Sequence, residues 1–289
     1  MIDEFAPAKV NLTLHVGPAR GDGYHPVDSL VVFADWGDRL SASPASKFTL
    51  TIEGEGADVL NAEADNLVLK AAHLLHDAGG LPASTGARIH LNKAIPLGSG
   101  LGGGSANAAA ALRALNMLWG LDWPLKELAE LGAQIGSDVP ACVWSKPLRM
   151  TGRGEAISLL PDWPEFSAVL CLPGASVSTA AIFRAFDATP PAPLRPSNIV
   201  STSDVDGALA MVKACSNDLE AVAINQKPVI NRAMTAVRGE NSPELVRMSG
   251  SGSTVFAIHK TYESADLAAN ALTQTHADWR FVPVRLGAS

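Results

Sequence analysis

Pro96-Leu-Gly-Ser-Gly-Leu-Gly-Gly-Gly-Ser-Ala-Asn107 packs five glycines into the seven residues from 98 to 104 and runs directly into an alanine-rich helical pattern. Glycine lacks Cβ, so its backbone adopts positive φ without steric cost and its N–H groups can approach a ligand closely. The first turn of the following helix presents unpaired N–H groups and the positive end of the helix dipole. Both features suit an anion, and phosphate is the expected guest. Upstream, Ala87-Arg-Ile-His-Leu-Asn-Lys93 alternates apolar and polar residues and predicts a strand. Downstream, Ala108, Ala111, Leu112, Leu115 and Leu118 keep helical spacing between Ala106 and Trp119, with Gly120 as the stop. The unit is strand, glycine loop, helix.

Three known phosphate loops share this outline, and each fits poorly. A Walker A loop needs a Gly-Lys pair, and the chain has none. Gly98, Gly100 and Gly103 match the spacing of a dinucleotide fingerprint, but the acidic residue about twenty positions on, Asp122, precedes Trp123-Pro124 at an expected helix start rather than ending a strand. The strand lysine, His-Arg-Asp and Asp-Phe-Gly elements of protein kinases are missing.

The 289 residues suffice for two domains, with a boundary expected near residue 148. Twenty-two basic against 29 acidic residues give a net charge of −7 with no basic cluster, which argues against a nucleic-acid partner. No apolar stretch reaches membrane-spanning length, and Met1-Ile-Asp-Glu-Phe carries the wrong charge for a signal peptide, so a cytoplasmic protein is expected. Cys142, Cys171 and Cys215 are odd in number and widely spaced, and the histidines show no metal-ligand spacing; no resident metal site is predicted, and any metal should arrive with a nucleotide.

Strands are expected at Lys9–Val16, Val27–Ala34 and Lys47–Glu53, followed by a helix over 66–77 capped by Asp65-Asn66. A helix opens at Asp122, and Ala141-Cys-Val-Trp144 reads as a short strand. Beyond 148, strands at 157–160 and 167–172 precede a helix capped by Ser178, and a proline-rich connection spans Thr189 to Ser197. Helices are expected at 204–214, 218–224 and 228–237. They are followed by a glycine turn between two strands over 246–258, a helix from Tyr262 and a last strand at 280–284.

Phosphoryl transfer needs a cation for the migrating group and a base for the acceptor hydroxyl, usually with magnesium. Lys9 in an otherwise apolar start and Asp138 in Gly136-Ser-Asp-Val-Pro140 are the candidates. Taken singly, Lys9 also reads as a snorkelling strand lysine and Asp138 as a turn or cap residue. Ser249, Gly250, Ser251 and Gly252 read equally as a hairpin turn or an anion nest.

In order and together, Ala6-Pro-Ala-Lys-Val-Asn-Leu12, the run Pro96–Asn107 and Met248-Ser-Gly-Ser-Gly-Ser253 resemble the three motifs of the GHMP superfamily, which includes galactokinase, homoserine kinase, mevalonate kinase and phosphomevalonate kinase. The resemblance implies a two-domain α+β fold. Residues 1–148 would form an ATP-binding domain like domain 2 of ribosomal protein S5, and residues 149–289 a ferredoxin-like, substrate-binding domain. Arg20-Gly-Asp-Gly-Tyr-His25, Asp65-Asn-Leu67, Lys93-Ala-Ile-Pro-Leu-Gly and Asn217-Asp-Leu-Glu220 look like the branch that phosphorylates a cytidine-diphosphate sugar alcohol on the non-mevalonate route to isoprenoid precursors.

By that resemblance Asp138 is the base and Lys9 holds it and the developing charge. Gly98, Ser99, Gly100, Leu101, Gly102, Gly103, Gly104 and Ser105 hold the ATP phosphates, Pro96 belongs to the same ATP-binding stretch, and Asn66, Leu67 and Lys93 flank adenine. Tyr24 and Phe183 sandwich cytosine, His25 bonds its edge, and Asn11 contacts the acceptor. Phe183 would otherwise read as a core residue of a short helix. Relatives of this branch often carry phenylalanine near Val31, so that wall of the cytidine pocket is expected to be less aromatic. No magnesium carboxylate flanks the loop, which leaves phosphate oxygens, Ser105 and water as Mg2+ ligands. The alternatives are a homoserine- or mevalonate-type kinase, with no use for a base clamp, and a non-catalytic nucleotide- or RNA-binding module, which the acidic charge and the Lys9 and Asp138 candidates disfavour.

Overall fold

The computed structural model describes residues 1–21, 23–61, 66–190 and 192–287. In chain order the first elements are β1 (Ile2–Asn11), β2 (His15–Val16), β3 (Val27–Ala45), β4 (Thr49–Gly54), α1 (Ala57–Asn61), α2 (Leu67–Ala78), β5 (Gly86–Lys93), α3 (Gly103–Leu118), α4 (Leu125–Gly132) and α5 (Val139–Trp144). They are followed by β6 (Leu148–Gly152), β7 (Ala156–Leu159), β8 (Phe166–Leu172), α6 (Thr179–Asp187), α7 (Val205–Lys213), α8 (Glu220–Gln226), α9 (Val229–Arg238), β9 (Leu245–Met248), β10 (Val255–His259), α10 (Tyr262–Thr275) and β11 (Arg280–Leu286). The chain divides into two compact units that interleave along it. One takes Met1–Lys9, Trp36–Leu97 and Gly102–Ser145, the other Val10–Asp35, Gly98–Leu101 and Lys146–Ser289.

In the first unit the later half of β3 pairs antiparallel with β5, from Arg39 opposite Asn92 to Ala45 opposite Gly86, and β5 pairs in parallel with β4. A parallel pair needs a crossover, which α1 and α2 supply. Val68, Ala71, Ala72 and Leu75 bury one face of α2, and the Asn66 side chain caps it by accepting from the Val68 N–H at 2.9 Å. Asp65, the other expected cap residue, lies outside the described residues. Helix α3 is buried nearly all round through Ala106, Ala108 to Leu112, Ala114 and Leu115. Its small side chains let α2 and α5 pack closely against it.

The second unit contains β8-α6, then α9-β9-β10-α10-β11, with strands ordered β11-β8-β10-β9 and every neighbouring pair antiparallel. This β-α-β-β-α-β arrangement is the ferredoxin-like one. Val169, Cys171, Val255, Ala257, Ala268 and Leu272 are among the residues of its core.

Four local expectations are corrected. Lys9–Val16 is not one strand: β1 starts at Ile2 and ends at Asn11, and His15–Val16 pairs separately with β3. Residues 6–11 are buried without alternation, so periodicity misplaced the ends. Ala141–Trp144 is helical, because a short apolar run cannot declare its period and Pro140 sits in the first turn of α5. Asp122 does not cap α4; it has φ 52°, and Pro124 holds the cap position. The first strand of the Val27 run continues to Ala45.

Candidate active site

Strand β1 brings Lys9 into the interior of the first unit, with its side chain only 5 % exposed, and its Nζ lies 2.9 Å from Asp138 Oδ2. Asp138 occupies the residue before α5, where its carboxylate is not spent on capping that helix and is 36 % exposed. One end of the ion pair is therefore buried and the other reaches solvent. Arg113 of α3 ties both supports together. Its guanidinium donates to Phe5 O of β1 (2.9 Å) and to Cys142 O of α5 (2.8 Å), and it bonds Glu4 Oε2 at 2.8 Å.

The start of α3 adjoins this pair. Gly102 is the residue before the helix, with φ 65°, and a Cβ there would lie 3.1 Å from Lys9 Cε and 3.2 Å from Lys9 Cβ. The lysine stem thus fills the space that the glycine leaves. Gly103 faces Ile95, and Gly104 faces Leu67.

Lys93 lies in a buried polar network. Its Nζ bonds Asp38 Oδ2 and, at 3.3 Å, Asn107 Oδ1. Asp38, fully buried, also accepts from the Asn107 amide at 2.8 Å and from the N–H groups of Ala94 (2.6 Å) and Ile95 (2.8 Å). Asp38 was not recognisable in the sequence as a site residue: it sits mid-strand in β3, with no local pattern linking it to Lys93. The network fixes the strand end from which the glycine loop departs.

In the second unit, Gly98 and Gly100 have φ of 65° and 80°. A Cβ at Gly100 would lie 2.4 Å from Gly252 O and 3.0 Å from Ser249 O, so the loop and the third glycine motif touch backbone to backbone. Thr254 N–H donates to Ser99 O at 3.0 Å, and Ser249 Oγ lies 3.4 Å from Gly100 O. The third motif is itself pinned: the Asn217 amide donates to Met248 O (2.9 Å) and Gly250 O (2.8 Å). The Asn11 backbone N–H donates to Ser249 Oγ at 3.1 Å, and its side-chain amide donates to Ser29 Oγ at 2.7 Å. Asn11, Ser249, Gly250 and the first half of the glycine loop thus form one cluster.

A second cluster in this unit surrounds His25. The imidazole is buried, its ring centroid lies 4.9 Å from that of Phe183, and its Nε2 lies 2.7 Å from Asp187 Oδ1. Tyr24 is 54 % exposed, with the Arg153 guanidinium 4.9 Å above its ring. Val31 is fully buried and pairs with Leu148 across β3 and β6. Asp187 was also missed, although its spacing of four from Phe183 on a helix put both on one face. The thiols offer no competing nucleophile. Burial pushes Cys142 and Cys171 up to about 12. Among the described residues, no group of three or more His, Cys, Asp or Glu gathers as a metal site.

A glycine loop opening a buried helix, a lysine–aspartate pair beside that helix start and a ferredoxin-like second unit define a GHMP-type phosphotransferase. The N-terminal domain of the GHMP kinases matches residues 66–146 and their C-terminal domain residues 204–278. The 4-diphosphocytidyl-2-C-methyl-D-erythritol kinase of Parvibaculum lavamentivorans is 42% identical over 285 residues, covering 96% of each chain. That of Cereibacter sphaeroides is 43% identical over 287 residues, covering 99% of each. A crystal structure of 4-(cytidine 5'-diphospho)-2C-methyl-D-erythritol kinase superposes with a TM-score of 0.78 at 32% identity, over 99% of this chain and 100% of that one. The chain belongs to the GHMP kinases.

Proposed function

We propose that this chain is an ATP-dependent kinase that transfers the γ-phosphoryl group to the 2-hydroxyl of 4-diphosphocytidyl-2-C-methyl-D-erythritol. The observation that carries the chemistry is the Lys9–Asp138 pair at 2.9 Å, packed against Gly102 at the start of α3. A half-exposed carboxylate held by an ammonium is placed to take the proton of an acceptor hydroxyl, and the ammonium offsets the charge that develops on that oxygen. The N–H groups at the start of α3 and along Gly98–Ser105 suit the phosphates of ATP. Asn66 and Leu67 at the start of α2 suit a neighbouring adenine, and Lys93 holds the strand end before the loop. Magnesium bound with the nucleotide would neutralise phosphate charge, with Ser105, phosphate oxygens and water as ligands.

Near-full-length similarity to proteins named for the cytidine-linked acceptor supports this substrate over homoserine or mevalonate. His25 and Phe183, in ring contact, and the exposed ring of Tyr24 are the aromatic groups offered to a base. In this reading residues 1–148 are the ATP-binding domain and residues 149–289 the substrate-binding domain. Among the described residues no helix is long and apolar enough to cross a membrane, and we place the enzyme in the cytoplasm without a nucleic-acid partner. The test is ATP consumption measured side by side with the cytidine-diphosphate sugar alcohol, homoserine and mevalonate. Turnover with the first alone is expected, and turnover with either of the others at a comparable kcat/KM would overturn the assignment.

A further inference from the structure

The buried imidazole of His25 is gripped by one helix. Phe183 and Asp187 stand one turn apart on α6, the first 4.9 Å from the ring by centroid and the second 2.7 Å from Nε2 through Oδ1. Phe186 meets the same ring edge-on at 6.1 Å. An ionised carboxylate only accepts hydrogen bonds, so a neutral imidazole in this contact carries its proton on Nε2 and keeps a lone pair on Nδ1.

We propose that Asp187 is a positioning residue that sets the base preference of the acceptor site by fixing this tautomer. The inference rests on the reading of His25 as the residue that meets the edge of the base. Cytosine offers an amino group at position 4, a donor that a lone pair can accept, whereas uracil offers a carbonyl oxygen there. With Nδ1 as acceptor, the imidazole pairs with the cytosine amine and repels the uracil oxygen. Specificity would then come from a carboxylate that does not touch the base, and from a rejection as much as from an attraction. The same helix supplies the apolar contact to the ring through Phe183, so orientation and protonation are set together.

The experiment compares wild type with Asp187→Ala, Asp187→Asn and Asp187→Glu, using the cytidine acceptor and its uridine counterpart, and reads the His25 ring nitrogens by 15N NMR in the ligand-free protein. Asp187→Ala should raise KM for the cytidine acceptor about tenfold with kcat within about twofold, the size of one hydrogen bond. Asp187→Asn, which presents both an amide donor and a carbonyl acceptor to Nε2, no longer dictates the tautomer and should narrow the preference for the cytidine over the uridine acceptor. Asp187→Glu should restore the wild-type preference. A wild-type His25 protonated on Nδ1 alone, or an unchanged KM and base preference in Asp187→Ala, would overturn this inference while leaving the kinase assignment standing. Equal losses for both bases in the alanine and asparagine variants would also overturn it, since a merely structural role predicts that. Failure of the wild-type chain to turn over either acceptor would instead overturn the functional reading, and this inference with it.

Discussion

Asp138 and Lys9 are separated by 129 positions in the chain and by 2.9 Å in space, with the lysine buried and the carboxylate half exposed. If Asp138 takes the acceptor proton, Asp138→Ala should lower kcat by roughly 10²–10⁴-fold while ATP affinity, measured by titration calorimetry, changes little. Near-normal turnover would sink the assignment. Lys93 makes a different demand. Removing it in Lys93→Ala would strand the fully buried Asp38 carboxylate, at a cost of about 3–5 kcal/mol. Urea unfolding should show that loss and a partial recovery in the double variant Lys93→Met, Asp38→Asn, in which no buried charge remains. Neither the Lys93–Asp38 bond nor the role of Asp187 was legible in the sequence, because each joins residues that only the packed fold brings together.

The glycine loop is the element whose geometry admits the least substitution. Gly100 has φ 80°, and its missing Cβ would lie 2.4 Å from the carbonyl oxygen of Gly252. Gly100→Ala should therefore push the loop off the third glycine motif, raising KM for ATP at least tenfold and lowering stability by about 1–2 kcal/mol from left-handed strain alone. Steady-state kinetics and thermal melts on the same variant check both effects. The strand, loop and helix around it were readable because period 2, glycine and period 3.6 follow one another without overlap. Helix α5 was not. Six uniformly apolar residues show no polar–apolar alternation from which either period could be read, and the helix packs against α3 and α4.

At the scale of the whole molecule, acid should loosen the structure through Asp28. Burial raises this carboxyl, but hydrogen bonds from Arg149 and from Ser197 N–H and Oγ together outweigh it and hold the group below its ordinary 3.8. A depressed folded value means stability that is present above 3.8 and lost as pH falls through the folded value. Asp28→Asn should therefore be less stable than wild type at pH 7, by about 2 kcal/mol, and the gap in Tm should close below pH 4. A gap that persists unchanged at pH 3 would mean that the charge contributes nothing. Asp28 also anchors the end of the proline-rich connection through the Ser197 N–H, a contact that no local pattern in the sequence announced.

By itself the sequence determined the succession of strands and helices in the second half of the chain, the glycine loop and its helix, and the three motifs whose resemblance to the GHMP kinases implied the ferredoxin-like fold. These are local or ordered along the chain, and hydrophobic period, glycine and chain order are properties a sequence displays directly. Tertiary structure alone decided that Lys9 meets Asp138 beside Gly102, that Lys93 is held by Asp38, and that one helix supplies both the ring and the carboxylate around His25. Burial and distance between residues far apart in the chain arise only when the apolar faces close on one another, and it is these two quantities that assign a charge its work.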